Sequence, residues 1–193
     1  MKHVVVIGAG QAGASCVARL RSSGFEGSVT MIGSEPVPPY QRPPLSKGYL
    51  LGEITPQRLF LRPEAFYADN NIELRLSAAV TDIDVIAKTV VAESETLCYD
   101  ELVFATGSLP HRLPAAIGGN LSGVFTLRNL SDVDAAAPYF TEKSHVLIVG
   151  GGYIGLEVAA VAAKRGLRVT LVEKADRILK RVAALETSNY FRD

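Results

Sequence analysis

The sequence predicts an α/β protein built from two strand–helix–strand modules, the first with an inserted antiparallel meander and the second only half built. Three observations predict this: two short β-branched apolar runs that each end in glycines, a small-residue helical pattern after each, and a further strand pattern after each helix. Val4 to Ile7 opens the first module and reads as a strand buried on both faces of a parallel sheet. Gln11 to Ser23 places Ala14, Val17, Ala18 and Leu20 at helical spacing, with Gly24 as C-terminal cap. Ser28 to Ile32 is the next strand, joined by a crossover expected to be right-handed.

From Gly33 to Leu61 six prolines interrupt any long helix or strand, so this stretch is a loop, ordered by apolar anchors such as Tyr40, Leu45, Tyr49, Leu50 and Phe60. Pro63 to Asn70 reads as a short helix leading into a strand at Ile72 to Leu74. Val80 to Val85, Thr89 to Ala92 and Thr96 to Tyr99 form the meander, and Leu102 to Ala105 returns to the parallel sheet. Thr106-Gly107 breaks that strand, and the Pro-, Gly- and Ala-rich stretch from Leu113 to Gly123 marks a boundary. Ser131 is expected to cap a helix running to about Phe140. Val146 to Val149, Tyr153 to Arg165 and Arg168 to Glu173 then repeat the module. Residues 1–112 and 113–193 are the expected domains.

Composition narrows the partners. Twenty basic and twenty acidic side chains cancel, so no field of one sign is available to gather nucleic acid or an anionic membrane. Hydrophobic residues make up 48% of the chain, a globular rather than a disordered balance. No apolar stretch reaches the length of a signal-peptide core or a membrane span, and a cytoplasmic location is expected. Cys16 and Cys98 form neither a disulfide framework nor a metal-ligand spacing. His3, His111 and His145 have no such spacing either, so no metal site is expected.

Gly8-Ala9-Gly10-Gln11-Ala12-Gly13 and Gly150-Gly151-Gly152-Tyr153-Ile154-Gly155 both read G-x-G-x-x-G. In each, the first glycine permits a tight turn, the second lets a pyrophosphate approach the backbone, and the third lets helix and strand pack closely. Amides at the helix N-terminus hold the phosphates, aided by the helix dipole. Such a pattern alone is weak; here each follows an apolar strand and opens a small-residue helix, which predicts two Rossmann-like dinucleotide folds. An acidic residue closes the next strand in both, Glu35 and Glu173, placed to bind a ribose. Ser34 competes with Glu35 for that contact. Glu173 favours NAD over NADP by repelling a 2′-phosphate, while Lys174 and Arg177 could accommodate one; NADH is the preferred reading.

Two such folds around a Thr106-Gly107 turn resemble the two-dinucleotide flavoprotein reductases, whose N-terminal fold holds FAD. The segment Tyr40-Gln41-Arg42-Pro43-Pro44-Leu45-Ser46-Lys47 is similar to the Y-x-R-P-x-L-S-K loop of the ferredoxin/rubredoxin/putidaredoxin reductase family. The resemblance runs through the whole chain. It implies that Arg42 lies near the FAD pyrophosphate and Lys47 beside the reactive edge of the isoalloxazine. It places Ala12, Ser34, Val80, Arg128, Thr106 and Gly107 at FAD-contacting positions. Glu157 stands out without the family: it is the only charged side chain between Gly152 and Ala163, and a carboxylate there is costly unless paired. The resemblance supplies Lys47 as its partner; the alternative is a carboxylate facing solvent or the helix dipole. Tyr153 either shields the nicotinamide pocket or simply packs there.

The implied activity is NADH oxidation through FAD, with electrons passed singly to a ferredoxin or rubredoxin. A disulfide reductase is excluded, because Cys16 and Cys98 cannot form a close redox pair. An NADH oxidase or nitrite reductase flavoprotein, and an FAD/NAD-binding regulatory protein resembling apoptosis-inducing factor, are the alternatives. The strand at Arg168 to Glu173 is only the second of its module, so the chain is expected to be the N-terminal portion of a longer enzyme. An uncovered sheet edge and apolar face are then expected, with weak FAD binding, poor catalysis and homodimerisation as consequences.

Overall fold

Alternate residues of a strand serve opposite faces, and this decides how the first part of the chain is built. The structure, a computed structural model, describes residues 1–192, which divide into two compact units: Met1–Gln41 with Gln57–Ser108, and Arg42–Pro56 with the residues from Leu109 onward. The break after Ser108 lies close to the expected one after residue 112. The difference is the proline-rich segment Arg42–Pro56, which packs with the second unit although it precedes much of the first in sequence.

The first unit runs β1 (His3–Ile7), α1 (Gln11–Ser22), β2 (Ser28–Ile32), α2 (Ala65–Asp69), β3 (Ile72–Arg75), β4 (Val80–Asp84), β5 (Thr89–Ala92), β6 (Glu95–Cys98) and β7 (Glu101–Phe104). Its parallel sheet has the order β3-β2-β1-β7, with Val5 opposite Thr30 and Leu102. Val4, Val6, Val29 and Met31 point to one face, where they meet Val17 of α1 and Tyr67 of α2. Val5, Ile7 and Ile32 point to the other and meet Ala78, Val90 and Ala92, so the antiparallel β4-β5-β6 meander covers the second face. A strand covered on both sides needs no polar alternation, which is why β1 reads as a continuous apolar run. Each wholly buried valine contributes about 1.5–3 kcal/mol.

Glycine ends α1 as expected. Gly24 adopts φ +81, its N–H donates to Arg21 O, and Phe25 N–H reaches back to Leu20 O, a Schellman closure. The helix expected over residues 63–70 is shorter, Ala65–Asp69.

The second unit contains α3 (Leu130–Ala136), β8 (His145–Val149), α4 (Tyr153–Lys164), β9 (Arg168–Val172) and α5 (Leu185–Arg192). Asn129, not Ser131, caps α3. The Asn129 side chain accepts the Asp132 N–H at 2.8 Å, and the Asp132 carboxylate accepts the Asn129 N–H at 3.2 Å. That reciprocal capping box outcompetes a lone serine. The helix stops at Ala136 rather than near Phe140; the tighter 3₁₀ turn Ala137–Tyr139 follows, where Pro138 lacks an N–H for the α pattern. Helix α5 lies beyond the last element expected from the sequence.

β8 and β9 pair in parallel, and α4 ends on Gly166 at φ +79 with the same closure as α1, Leu167 N–H to Ala162 O. Leu147, Val149 and Val172 are 61%, 55% and 44% exposed, so apolar side chains of this two-stranded sheet stand open among the described residues. No helix among the described residues is long and apolar enough to cross a membrane, and none of their His, Cys, Asp and Glu side chains cluster as a metal site.

Candidate functional site

In the first unit the glycine loop joins the C-terminal end of β1 to α1. Gly8 has φ +118 and donates its N–H to Ile32 O at 2.8 Å; a Cβ there would lie 2.2 Å from Ala105 O. A Cβ on Gly13 would lie 2.0 Å from Gly8 O, so helix and loop touch without room for a methyl group. Gly10 is different: a Cβ there would meet nothing within 4 Å. It is the extended N-cap of α1, with no side-chain cap and no acid in the first turn, and Ala12 is exposed beside it. The loop thus presents helix-terminal amides across open space, which suits an anionic ligand.

The other first-unit residues gather at this end of the sheet. Ser34 and Glu35 follow β2; Ser34 is exposed, while the Glu35 carboxylate accepts the Tyr40 hydroxyl at 2.5 Å. Thr106 and Gly107 follow β7, both exposed, with Gly107 at φ +68. Val80 packs against the apolar cluster that holds Ile7 and Ile32, the last residues of β1 and β2. Ligands of parallel sheets bind outside the carboxyl ends of the strands, where Ser34, Glu35, Thr106 and Gly107 lie. A cavity of about 660 Å³ in this unit lies elsewhere: it is lined by His3, Arg21, Phe25 and Glu73 among others. Arg21 there is spent on the carbonyls of Phe25, Gly27, Asn70 and Asn71.

The second unit repeats the cradle. Gly150 has φ +115 and donates to Val172 O at 2.8 Å, a Cβ on Gly155 would lie 2.0 Å from Gly150 O, and one on Gly152 would meet nothing within 4 Å. Gly152 caps α4 with no side-chain cap and no acid in the first turn, and Tyr153 and Ile154 stand exposed at its start. Glu173 accepts the N–H of Gly151 at 2.7 Å and of Ala175 at 2.8 Å. The Ala175 and Gly151 amides hold its carboxyl below the usual carboxylate range. The Arg177 guanidinium donates to the carbonyls of Ala183 and Lys180 and to the Ser188 hydroxyl.

The same unit brings Lys47 to Glu157. Pro43–Ser46 forms a 3₁₀ turn with proline at its start, and Lys47 follows it. Lys47 Nζ lies 2.7 Å from Glu157 Oε2 on α4 and 3.0 Å from Pro43 O. The Ser46 hydroxyl donates to that same Oε2 at 2.5 Å. Burial pushes the Glu157 pKa up, but the bonds from Lys47 and Ser46 and the lysine charge outweigh it, and the net shift is downward. The rest of the segment is clasped as well: the Tyr49 hydroxyl donates to Asp134 at 2.6 Å, Lys164 pairs with Glu53 at 3.1 Å, and Arg165 donates to Leu50 O at 3.1 Å. Arg42 donates to the Arg128 carbonyl at 2.8 Å, which brings those two residues together. Ser46 and the Tyr49–Asp134 bond escaped sequence reasoning. The only local signal was adjacency to Lys47, because their partners lie 111 and 85 residues away in the chain.

The family described as pyridine nucleotide-disulphide oxidoreductase matches residues 2–193. The chain is 44% identical over 191 residues to a ferredoxin–NAD(P)(+) reductase of Sphingomonas sp., covering 98% of this chain and 46% of that protein. It is 40% identical over 190 residues to a rubredoxin-NAD(+) reductase of Pseudomonas putida, covering 98% and 49%. Among solved structures, the reductase in the covalent putidaredoxin reductase–putidaredoxin complex superposes with a TM-score of 0.94 at 40% identity, covering 99% of this chain and 46% of that one. The chain spans about half the length of the curated relatives it matches.

Proposed function

The chain belongs to the pyridine nucleotide-disulphide oxidoreductase family, and from that premise we propose that it serves an FAD-dependent reductase that takes electrons from NADH and delivers them to a small iron–sulfur protein or rubredoxin. One observation carries the reading: both glycine loops pair a packed third glycine with an open second glycine, so a methyl group at Gly10 or Gly152 would fill only the space a pyrophosphate needs. The first cradle takes FAD and the second NADH. When bound, FAD accepts a hydride and releases electrons one at a time, chemistry that belongs to the cofactor.

The protein's share is to hold, orient and select. Amides at the start of α1 and α4 face the phosphates. Glu173, fixed by two backbone N–H groups, faces the adenosine ribose as an anion and repels a 2′-phosphate. Arg177, occupied by carbonyls and Ser188, offers that phosphate no partner, which supports NADH over NADPH. The Lys47–Glu157 pair stands on the helix that the second cradle opens, and its proposed role is to set the charge beside the nicotinamide. Cys16 and Cys98 are both free, one half-buried on α1 and one exposed on β6, and make no redox pair. The names of the relatives, reductases of ferredoxin and rubredoxin, support the choice of acceptor.

The test is an absorption spectrum of the purified chain after incubation with FAD and desalting, followed by anaerobic addition of NADH. The expected result is a small retained fraction of flavin, in keeping with the weak FAD binding expected from the sequence, whose visible band bleaches with NADH and resists NADPH. A chain that retains no flavin and binds no NADH in a separate calorimetric titration would refute the proposal.

A further inference from the structure

The Lys47–Glu157 pair has a third member. Glu157 projects from a helix that is otherwise apolar near it, and burial of Val158, Val161 and Ala162 shows how closely that helix packs. Its carboxylate is only about one-third exposed, so it needs partners. Two arrive from successive residues, and both meet Oε2: the Ser46 hydroxyl at 2.5 Å and Lys47 Nζ at 2.7 Å. Oε1 accepts no hydrogen bond among the described residues.

The two partners differ physically. Lys47 is half exposed, has a long side chain and divides its ammonium between Glu157 and the Pro43 carbonyl. Ordering such a long side chain costs rotamer entropy that a solvent-facing pair scarcely returns. Lys47 alone therefore does little to fix a direction. Ser46 is 4% exposed, turns on a single χ angle, and sits at the end of a turn stiffened by Pro43 and Pro44. A buried hydroxyl costs free energy unless it is bonded, and Glu157 is its only partner among the described residues.

We propose that Ser46 is a positioning residue: its hydroxyl orients the Glu157 carboxylate toward Lys47 and keeps one oxygen bonded when Lys47 turns away. Lys47 supplies charge and Ser46 supplies direction. The inference rests on the reading of this pair as part of the nicotinamide site, but its test does not. Lys47 is the only charged group touching Glu157 among the described residues. Asp134 of α3 accepts from the Tyr49 hydroxyl, and Lys164 of α4 pairs with Glu53.

The experiment is a carboxyl-carbon NMR titration of Glu157 in the ligand-free protein, its resonance assigned by loss in Glu157→Gln. In Ser46→Ala the titration is expected to move upward with the melting temperature nearly unchanged, and Ser46→Thr, which keeps the hydroxyl, returns it toward native. In a Lys47→Met background, removing the Ser46 hydroxyl still moves the titration upward. Because the resonance itself is read, a merely structural serine would leave it where it was. A native titration in Ser46→Ala, or an equal upward shift in folded Ser46→Thr, would overturn the proposal. A shift in the ligand-free protein without any change in the pH profile of hydride transfer when FAD is loaded would support Ser46 as positioning residue and count instead against the function read for the pair.

Discussion

Gly10 and Gly13 lie in one loop and make opposite demands, so alanine at each separates ligand binding from folding. A Cβ at Gly13 would sit 2.0 Å from Gly8 O and 3.2 Å from the Met31 sulfur. Carbon and oxygen approach to about 3.3 Å at closest, so α1 must retreat from β1 by more than about 1 Å. Overpacking of this kind costs about 1–3 kcal/mol. For a chain of this size that lowers Tm by about 2–12 °C. Gly10→Ala meets nothing within 4 Å, at a backbone φ of −93 that any residue adopts. Alanine caps less well by about 0.5–1 kcal/mol, and the smaller freedom of the unfolded chain offsets about 0.4–1 kcal/mol, so Tm stays within about 2 °C. The methyl group nevertheless stands in the open space proposed for a phosphate. Losing one charge-assisted bond there costs about 1.5–3 kcal/mol, which weakens FAD binding about 10–100-fold. Thermal melts and a flavin-fluorescence titration read the two effects separately. A Gly13→Ala protein that melts like native, or a Gly10→Ala protein that binds FAD like native, would refute the reasoning.

Three further outcomes are expected. Glu157 is held below its ordinary range when folded, so its contribution is complete above about pH 4.3 and is lost as pH falls through the folded value; Tm measured from neutral to acid pH should fall more in the native protein than in Glu157→Gln. Burial first, then the hydrogen bond to Asp134 and its charge, push the Tyr49 hydroxyl up to about 12, so its contribution is intact below about pH 10 and is lost as pH climbs through the folded value. Tyr49→Phe should cost about 1 kcal/mol in urea denaturation and remove a late-titrating tyrosine from an ultraviolet titration, while the late titration of Tyr67 remains. Glu173→Ala frees the Gly151 amide and removes the charge proposed to face the ribose; selectivity for NADH over NADPH, compared by binding titrations, should fall by at least about tenfold, or 1.4 kcal/mol.

Local rules carried much of the fold. Helix α1 begins and ends where its glycines place it, and the meander strands lie where β-branched residues alternate with turn residues. Local rules misled at α3, because choosing between Asn129 and Ser131 as cap depends on which side chain the Asp132 carboxylate can answer. The proline-rich loop was legible as ordered, but not as belonging with the second unit, since its ties to Asp134, Glu157 and Arg165 cross most of the chain.

From sequence alone came the two dinucleotide cradles, because a positive φ at Gly8 and Gly150 and the space denied to a Cβ at Gly13 and Gly155 are properties of the residue itself. The need of Glu157 for a partner was also visible, because a carboxylate in an apolar helix is costly anywhere. Tertiary structure alone decided how that need is met: Ser46 and Lys47 converge on one oxygen, Arg177 is diverted to carbonyls and Ser188, and Glu173 folds back onto the Gly151 amide. The reason is physical. A glycine's conformational demand is local to its own backbone, whereas a hydrogen bond exists only once packing has brought donor and acceptor within about 3 Å of each other.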